Sequence, residues 1–326
     1  MILRLFKNSI GIQLVILLLT LILLWLPAFS VSRPMPLPEL ITPAYMFLYN
    51  LLYNLPVLYT AIAIILLAAG AFLLNTLLSD FGILPKNSYL TAFLYIVLMS
   101  CSSNYLTLHP VLFVNILIIL LLRMIFVANQ KEDSLKEIFA AGILAALCSL
   151  FVFKSVGLFV AVWFFLVILR IYSWRQWAVN LFGFASVYLY LFAWYLFADK
   201  LLEKVHLYRN VFQSQHVFHG MPSLSVYEYI MLGIILFLLL IAAVNFLFDV
   251  SEKIINIRRI TMVLFWLLII SAASVIFYLT KPVFDFAFIL LPMSVLTSLY
   301  YNSLKRSLFA EIILLLLIVS IVLCRL

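Results

Sequence analysis

The chain alternates long apolar runs with short polar breaks along its whole length. Most of the runs are about 17 to 22 residues long, which at 1.5 Å per helical residue is enough to cross a hydrocarbon layer of about 30 Å. Eleven such runs are found, at residues 11–29, 56–78, 89–107, 110–128, 138–153, 156–173, 177–199, 229–249, 260–280, 282–301 and 309–325. The pattern predicts an all-α polytopic membrane protein, a bundle of about 11 transmembrane helices (range 9–12).

The positively charged residues indicate how these spans are oriented. Lys and Arg accumulate in short cytoplasmic loops, and with eleven spans thirteen of the twenty Lys and Arg residues fall on one side. This bias predicts that the N-terminus lies in the cytoplasm and the C-terminus outside. This orientation depends most on the pair of runs around 138–173, which only Lys154 and Ser155 separate. If that pair formed one re-entrant unit, the orientation of every later span would invert.

Composition excludes a soluble protein. Apolar residues make up 67% of the chain and charged residues only 10%, and the mean hydropathy is +1.26, whereas about a quarter of the residues in a globular domain are charged. The net charge of +8 is spread in ones and twos between the apolar runs, which is typical of membrane topology and not of nucleic-acid binding. We therefore expect one integral membrane domain over residues 1–326, with the lipid bilayer as its surroundings.

Two outer loops, at about 30–55 and 201–228, carry most of the polar groups expected on the outer side. In the first, three prolines between residues 34 and 38 favour an extended path, and tyrosines at helical spacing from Ala44 to Leu55 predict a short interfacial helix after the first span. In the second, residues 199–215 have the pattern of a polar helix, which Gly220 and Pro222 would end.

The candidate functional residues in these loops are an acid and a group of cations. Glu39 is the only acid of the first loop, where it would serve as a general base or contact a metal-bound phosphate, or would simply be a solvated loop acid. In the second loop Lys204, His206 and Arg209 could bind a phosphate or a lipid headgroup, with a solvated loop as the alternative.

Three further candidates lie beside predicted spans. His109 sits in the outer turn between the third and fourth spans, after a stretch of Ser and Asn that either lines a cavity or joins helices by hydrogen bonds. Lys281 and Asp285 are one helical turn apart at the start of the tenth span. They are either a self-neutralised pair or a pair that faces a substrate.

The sequence contains no motif that indicates a particular cofactor. The three cysteines lie inside apolar stretches, and the His216-x-x-His219 spacing is a poor match to zinc sites, so we predict no metal. The chain contains no P-loop, GxGxxG, HExxH or GxSxG motif. The identity of any cofactor is left open.

Short stretches along the chain carry a family resemblance: residues 108–115 with 120–124, the Arg175-Gln176-Trp177 tripeptide, and residues 303–306 with 309–312. They resemble a family of uncharacterised polytopic membrane proteins from Bacteroidota, known only as a domain of unknown function. The resemblance implies a multi-pass protein of the bacterial inner (cytoplasmic) membrane and implies no activity.

The layout also resembles that of the C-type membrane glycosyltransferases, which use polyprenyl-phosphate sugars. The shared features are eleven spans, an acid-bearing first outer loop with an interfacial helix, and a long outer loop between spans seven and eight. Those enzymes place acids just after span one and near the turn between spans three and four. Here Glu39 lies about eight residues later, and His109 stands at the second place with no acid.

We therefore expect a protein of cell-envelope biogenesis that handles a polyprenyl-phosphate-linked substrate at the outer leaflet, with a C-type glycosyltransferase-like core. One alternative is a non-enzymatic subunit that scaffolds an envelope complex by docking a periplasmic or membrane protein partner. A lipid flippase or small-molecule transporter is a third, because a weak parallel repeat relates His109-Pro110-Val111 to Lys281-Pro282-Val283.

Overall fold

A computed structural model describes residues 10–30, 33–38, 41–85, 87–131, 133–213, 226–249, 254–277, 286–304 and 308–324. Within these ranges the regular structure is helical. The first seven α-helices are α1 (Ile10–Ser30), α2 (Pro43–Leu52), α3 (Pro56–Asp80), α4 (Leu90–Met99), α5 (Pro110–Ala128), α6 (Leu135–Phe151) and α7 (Gly157–Ile168). The remaining six are α8 (Trp174–Phe197), α9 (Leu201–Gln213), α10 (Val226–Asp249), α11 (Ile255–Phe277), α12 (Ala287–Ser303) and α13 (Leu308–Leu323).

The helices fall where the apolar runs predict them. Every one of the eleven runs contains a helix, α2 lies within the predicted interfacial segment, and α9 lies within the predicted polar helix of 199–215. In the described ranges α1, α3, α5, α8, α10 and α11 are long and apolar enough to cross a membrane by themselves. The all-helical, multi-pass membrane class is thus confirmed. The count of eleven spans and the cytoplasmic N-terminus stay predictions.

The centre of the bundle is built from two short helices. All ten residues of α4 are buried, and α12 is buried over most of its length. These two helices pack against each other, and α4 also contacts α1 and α3. A helix that is apolar on every side is stable only inside a larger assembly. This explains how α4, at ten residues or about 15 Å, is placed without crossing the membrane alone.

Polar contacts between different helices gather at two ends of the bundle. One end, here called the Gln13 end, joins the start of α1 to the residues before α4, the end of α3 to α5, and the start of α6 to the start of α8. The hydrogen bonds at this end are Gln13 Nε2 to the Asn87 carbonyl, the Tyr89 N–H to Gln13 Oε1, Arg123 to Asp80, Asn129 to Asn256, Gln176 to Ser134, and Asn245 to Ser303.

The opposite end, here called the His109 end, joins the end of α1 to the turn after α4 and joins α2, α3 and α9 to the segments between helices. Its hydrogen bonds are Trp25 Nε1 to Ser100 Oγ, the Tyr45 hydroxyl to the Leu108 carbonyl, the Tyr59 hydroxyl to the Arg33 carbonyl, and the Tyr208 hydroxyl to the Ile41 carbonyl. Segments that the topology assigns to the outer side thus meet at this end, and segments assigned to the cytoplasm meet at the Gln13 end.

The closest helix pair is α6 with α8, and small and polar residues hold it together. A Cβ atom added to Gly142 would lie 2.3 Å from the Asn180 carbonyl oxygen, and one added to Gly183 would lie 2.3 Å from the Phe139 carbonyl oxygen. Asn180 Nδ2 donates to the Ile138 carbonyl at 3.1 Å. Small residues that let backbones approach, with hydrogen bonds between helices, are how membrane helices associate without a hydrophobic driving force.

The outward side of α8 has the signature of a membrane span. Trp174 and Trp194 are 75% and 71% exposed, and twenty residues separate them, or about 30 Å along a helix. Tryptophan prefers the two interfaces of a bilayer, which are about that far apart. In α8, Asn180 and Gly183 are the buried residues, so most of this helix is available to lipid.

Candidate functional site

The His109 end contains irregular backbone inside the bundle. α4 stops at Met99, although the apolar run continues to 107, and the next ten residues are non-helical apart from a single 3-10 turn at Ser103–Tyr105. Most of these residues are buried, and Trp25, five residues before the end of α1, donates to Ser100 Oγ at 3.0 Å. Non-helical backbone at membrane depth is tolerated only where it is enclosed by protein or lines a cavity. The turn 100–109 is therefore the first candidate region.

Local chemistry explains why the helix ends there. Ser and Asn side chains bond to nearby backbone and so compete with the helical pattern. Ser102 Oγ accepts the Asn104 N–H at 3.2 Å, and α5 restarts at Pro110, which is favoured in the first helical turn. Below the turn, Asn115 Nδ2 donates to the Tyr95 hydroxyl at 3.1 Å, in the buried core.

A non-helical segment, residues 33–38, lies against this turn. The Arg33 carbonyl accepts hydrogen bonds from the Tyr59 hydroxyl at 2.8 Å and from Thr107 Oγ1 at 3.3 Å. Residues 33–38 lie outside the regular helices. Prolines fix φ and remove backbone donors, which is consistent with a non-helical path here.

Tyr45 of α2 ties the same two segments together. Its hydroxyl contacts the Pro36 carbonyl at 2.9 Å and the Leu108 carbonyl at 3.3 Å. The side chain is almost completely buried, and this burial raises the pKa of the phenol, so Tyr45 is a neutral hydrogen-bond donor at any physiological pH. The helix predicted to lie at the interface is thereby held against the candidate region.

His109 lies inside this region. Its ring is 0% exposed and packs against the Tyr105 ring with a centroid distance of 5.7 Å. Burial lowers the pKa of His109 to about 3, because an imidazolium ion loses its hydration when it is enclosed. The imidazole is therefore neutral at pH 7. Its predicted role in substrate binding stays a prediction, and it requires a ligand that reaches past the surface of the turn.

α9 covers the same end of the bundle. The Tyr208 hydroxyl donates to the Ile41 carbonyl at 3.2 Å, and its ring lies 6.1 Å from that of Phe153. Burial raises the pKa of Tyr208, so this hydroxyl also stays protonated. α9 thus connects the loop after α1 with the turn between α6 and α7, which no spacing in the sequence indicates.

Two of the three predicted phosphate-binding residues of α9 face outwards. His206 and Arg209 are exposed and Lys204 is half-buried. Leu202 and Val205, at 75% and 51% exposed, lie on the same outer side. An apolar stripe beside cations is typical of a helix that lies in the headgroup layer of a membrane. The arrangement brings all three predicted cations to the end of the bundle where His109 lies.

Several predicted residues lie outside the described ranges: Glu39, Lys281, Asp285, His216 and His219. Their roles stay predictions. In the described ranges no group of three or more His, Cys, Asp or Glu residues is close enough to hold a metal ion.

One candidate residue was missed by the sequence reasoning. Lys154, which separates two predicted spans, is half-buried and lines a cleft between α7, α11 and α12. The signal that could have identified it is its isolation, because it is the one charged residue between Glu137 and Arg170. The helices that face it are distant in sequence, so the cleft itself could not be inferred.

Comparison with known proteins supplies a family and no activity. A family model described as a family of unknown function, DUF6427, matches residues 39–326. This confirms the resemblance to a domain of unknown function. No curated protein and no solved structure matches the chain.

Proposed function

We propose that this chain, which belongs to the DUF6427 family of unknown function, binds a lipid-linked phosphate substrate at the outer leaflet of the bacterial inner membrane. The observation that carries the proposal is the gathering of polar groups at the His109 end. There α9 presents Lys204, His206 and Arg209 beside exposed apolar side chains.

The physical argument is one of matching a ligand to two kinds of surface. A polyprenyl phosphate has an anionic group and a long hydrocarbon tail, so its site needs cations at the height of the headgroups and an apolar surface below. α9 supplies the cations, which attract anionic headgroups. The α8 helix below it exposes a long apolar face, including Phe182 and Leu189, both 67% exposed.

Binding is tested with the purified protein in a neutral detergent. We expect a polyprenyl phosphate to bind more tightly than the polyprenol of the same length, because only the phosphate is attracted by the cations of α9. The double substitution Lys204→Ala with Arg209→Ala should weaken phosphate binding by about tenfold or more, because each cation near the surface contributes about 1 kcal/mol of attraction to an anionic headgroup. Native mass spectrometry measures both ligands side by side.

Lys136→Ala is the matched control, because Lys136 is exposed on α6 at the Gln13 end. It should bind both lipids as the unmodified protein does. Equal binding of phosphate and alcohol by the unmodified protein would count against the proposed function. A loss in the Lys136 variant equal to that of the double variant would show that net charge, and not position, governs binding.

The reaction we propose is transfer of a sugar from a polyprenyl-phosphate-linked donor to an acceptor hydroxyl, with polyprenyl phosphate as the leaving group, Glu39 as general base and envelope biogenesis as its purpose. A base that accepts a proton from the acceptor hydroxyl is needed in the reaction but not for lipid binding. Glu39→Gln should therefore abolish rescue of a gene deletion while polyprenyl-phosphate binding stays within about twofold. Full rescue by Glu39→Gln and also by Arg209→Ala would overturn the assignment.

A scaffolding role is the second candidate, and one observation favours it. Apart from the exposed Arg175 in its first turn, the outward side of α8 is largely apolar, which suits a partner's membrane helix as well as it suits lipid. Purification of the tagged protein from native membranes separates the two functions. An equimolar protein partner without an enriched lipid supports the scaffold, whereas an enriched polyprenyl phosphate supports the substrate-binding role.

A further inference from the structure

The cleft at Lys154 is lined by a few polar side chains and otherwise mostly by apolar ones. It lies between the start of α7, the second half of α11 and the first half of α12. Lys154 and Ser155 precede α7, and Ser271 and Ser274 come from α11. The interior has a volume of about 40 Å³, room for about three water-sized groups. A phosphate group is therefore comparable in size to this space.

The position of the cleft along the bundle follows from its walls. On the side of the Gln13 end the seam between α7 and α11 is closed by Phe164 and Trp266, whose ring centroids lie 4.7 Å apart. The cleft is therefore confined to the half of the seam nearer the His109 end. Lys154 is in the turn after α6, next to Phe153, which contacts Tyr208 of α9.

The hydroxyl groups of the cleft can exchange their present hydrogen-bond acceptors for a ligand's oxygen atoms. Ser155 donates to the Val152 carbonyl at 2.7 Å, Ser271 to the Leu268 carbonyl at 2.8 Å, and Ser274 to the Ser271 carbonyl at 2.8 Å. Each bond lies within one turn of chain, so each of these hydroxyl groups already has a backbone acceptor. A hydroxyl rotates easily, and each can donate to a phosphate oxygen instead.

The helices that wall the cleft also carry exposed apolar side chains. The apolar lining includes Leu267, Ile270 and Leu291. On the same helices Val160 of α7 is 64% exposed and Ile269 of α11 is 37% exposed. Exposed apolar side chains on these helices suit the hydrocarbon chain of a group held in the cleft.

From these contacts we propose that the cleft holds the phosphate of the lipid-linked substrate, with Lys154 as its cationic contact and Ser271 and Ser274 as hydroxyl donors. The inference rests on the proposed function and deepens it, because it separates a phosphate subsite at Lys154 from the attracting surface on α9. A lysine ammonium is a compact point charge suited to phosphate, and the apolar walls favour a phosphate that carries a hydrocarbon chain over a free one.

The test compares Lys154→Ala with Lys200→Ala in the full-length protein in a neutral detergent. Lys200 is an exposed lysine that follows α8 and does not line the cleft. The probes are a polyprenyl phosphate, the polyprenol of the same length and inorganic phosphate. We expect Lys154→Ala to weaken polyprenyl-phosphate binding by about tenfold or more, to leave polyprenol binding unchanged, and Lys200→Ala to change neither.

Two additional variants protect the test against a merely structural effect. Lys154→Arg keeps the charge and should retain binding within about threefold, while Lys154→Gln is a second neutral variant in case the alanine variant does not fold. If Lys154→Ala or Lys154→Gln elutes as a folded protein and binds polyprenyl phosphate as tightly as the unmodified protein does, the proposed subsite at Lys154 is wrong. If inorganic phosphate competes for the site as strongly as polyprenyl phosphate does, the cleft binds a free anion, and the proposal that its ligand is a lipid is wrong.

The outcomes separate the subsite from the proposed function. If the α9 double variant loses phosphate binding and the neutral Lys154 variants do not, the inference fails and the proposed function stands. If the unmodified protein does not distinguish the phosphate from the alcohol, both fail.

Discussion

Replacing Gly142 or Gly183 by alanine is expected to force α6 and α8 apart and to lower the free energy of unfolding by about 2 kcal/mol or more. Each new methyl group would start 2.3 Å from a backbone carbonyl oxygen of the other helix. A side chain could rotate away, but backbone atoms move only with their helix. The shift would also break the bond from Asn180 to the Ile138 carbonyl.

The melting temperature in detergent checks this expectation, and it should fall by about 3 °C or more. Gly233→Ala is the matched control. Gly233 lies in α10, and a Cβ atom there meets nothing within 4 Å, so this variant gains the helix propensity of alanine without a clash. If the Gly142 and Gly183 variants melt as the Gly233 variant does, the close approach of α6 and α8 is wrong.

The second large effect is a loss of stability in mild acid caused by His109. Burial lowers the pKa of His109 to about 3 in the folded chain, and an exposed histidine in the unfolded chain has a pKa of about 6.5. Below pH 6.5 the unfolded state binds a proton that the folded state does not, so stability falls as the pH drops from 6.5 towards 3. At pH 5 the loss should be about 2 kcal/mol, and above pH 7 it should be absent.

Melting curves at pH 7.5 and pH 5 measure this dependence. His109→Leu should remove about 2 kcal/mol of the difference between the two pH values, whatever its effect at pH 7.5. His206→Gln should keep the difference, because His206 is exposed on α9. An unchanged difference in His109→Leu would show that His109 does not titrate as a buried group.

Much of the helix pattern could be predicted because it depends on local chemistry. The length of an apolar run and the prolines and polar residues that bound it are properties of neighbouring residues. For this reason the sequence predicts both α2 and α9. The predicted third span shows the limit of such reasoning, because run length alone extends it to residue 107 while the helix ends at Met99. Ser100 and Ser102 end it, with Trp25 as a partner from another helix.

The candidate site was predictable in part for the same reason. The cations of α9 and the turn at His109 stood out because charged and polar residues are rare in this chain. Their meeting at one end could be deduced from alternating spans, and the contacts of Tyr45 and Tyr208 support it. The importance of Lys154 could not be deduced, because its surroundings come from α7, α11 and α12, which are far apart in sequence.

The sequence by itself determined the class of the protein, since burying a chain that is 67% apolar leaves a membrane as its only stable surroundings. Only the tertiary structure decided which faces meet. The glycines at 142 and 183 belong to no local motif, yet they define the closest helix pair. Apolar run length is a sum over neighbours, whereas helix contact depends on the shapes of two distant surfaces, and packing in a membrane is governed by shape.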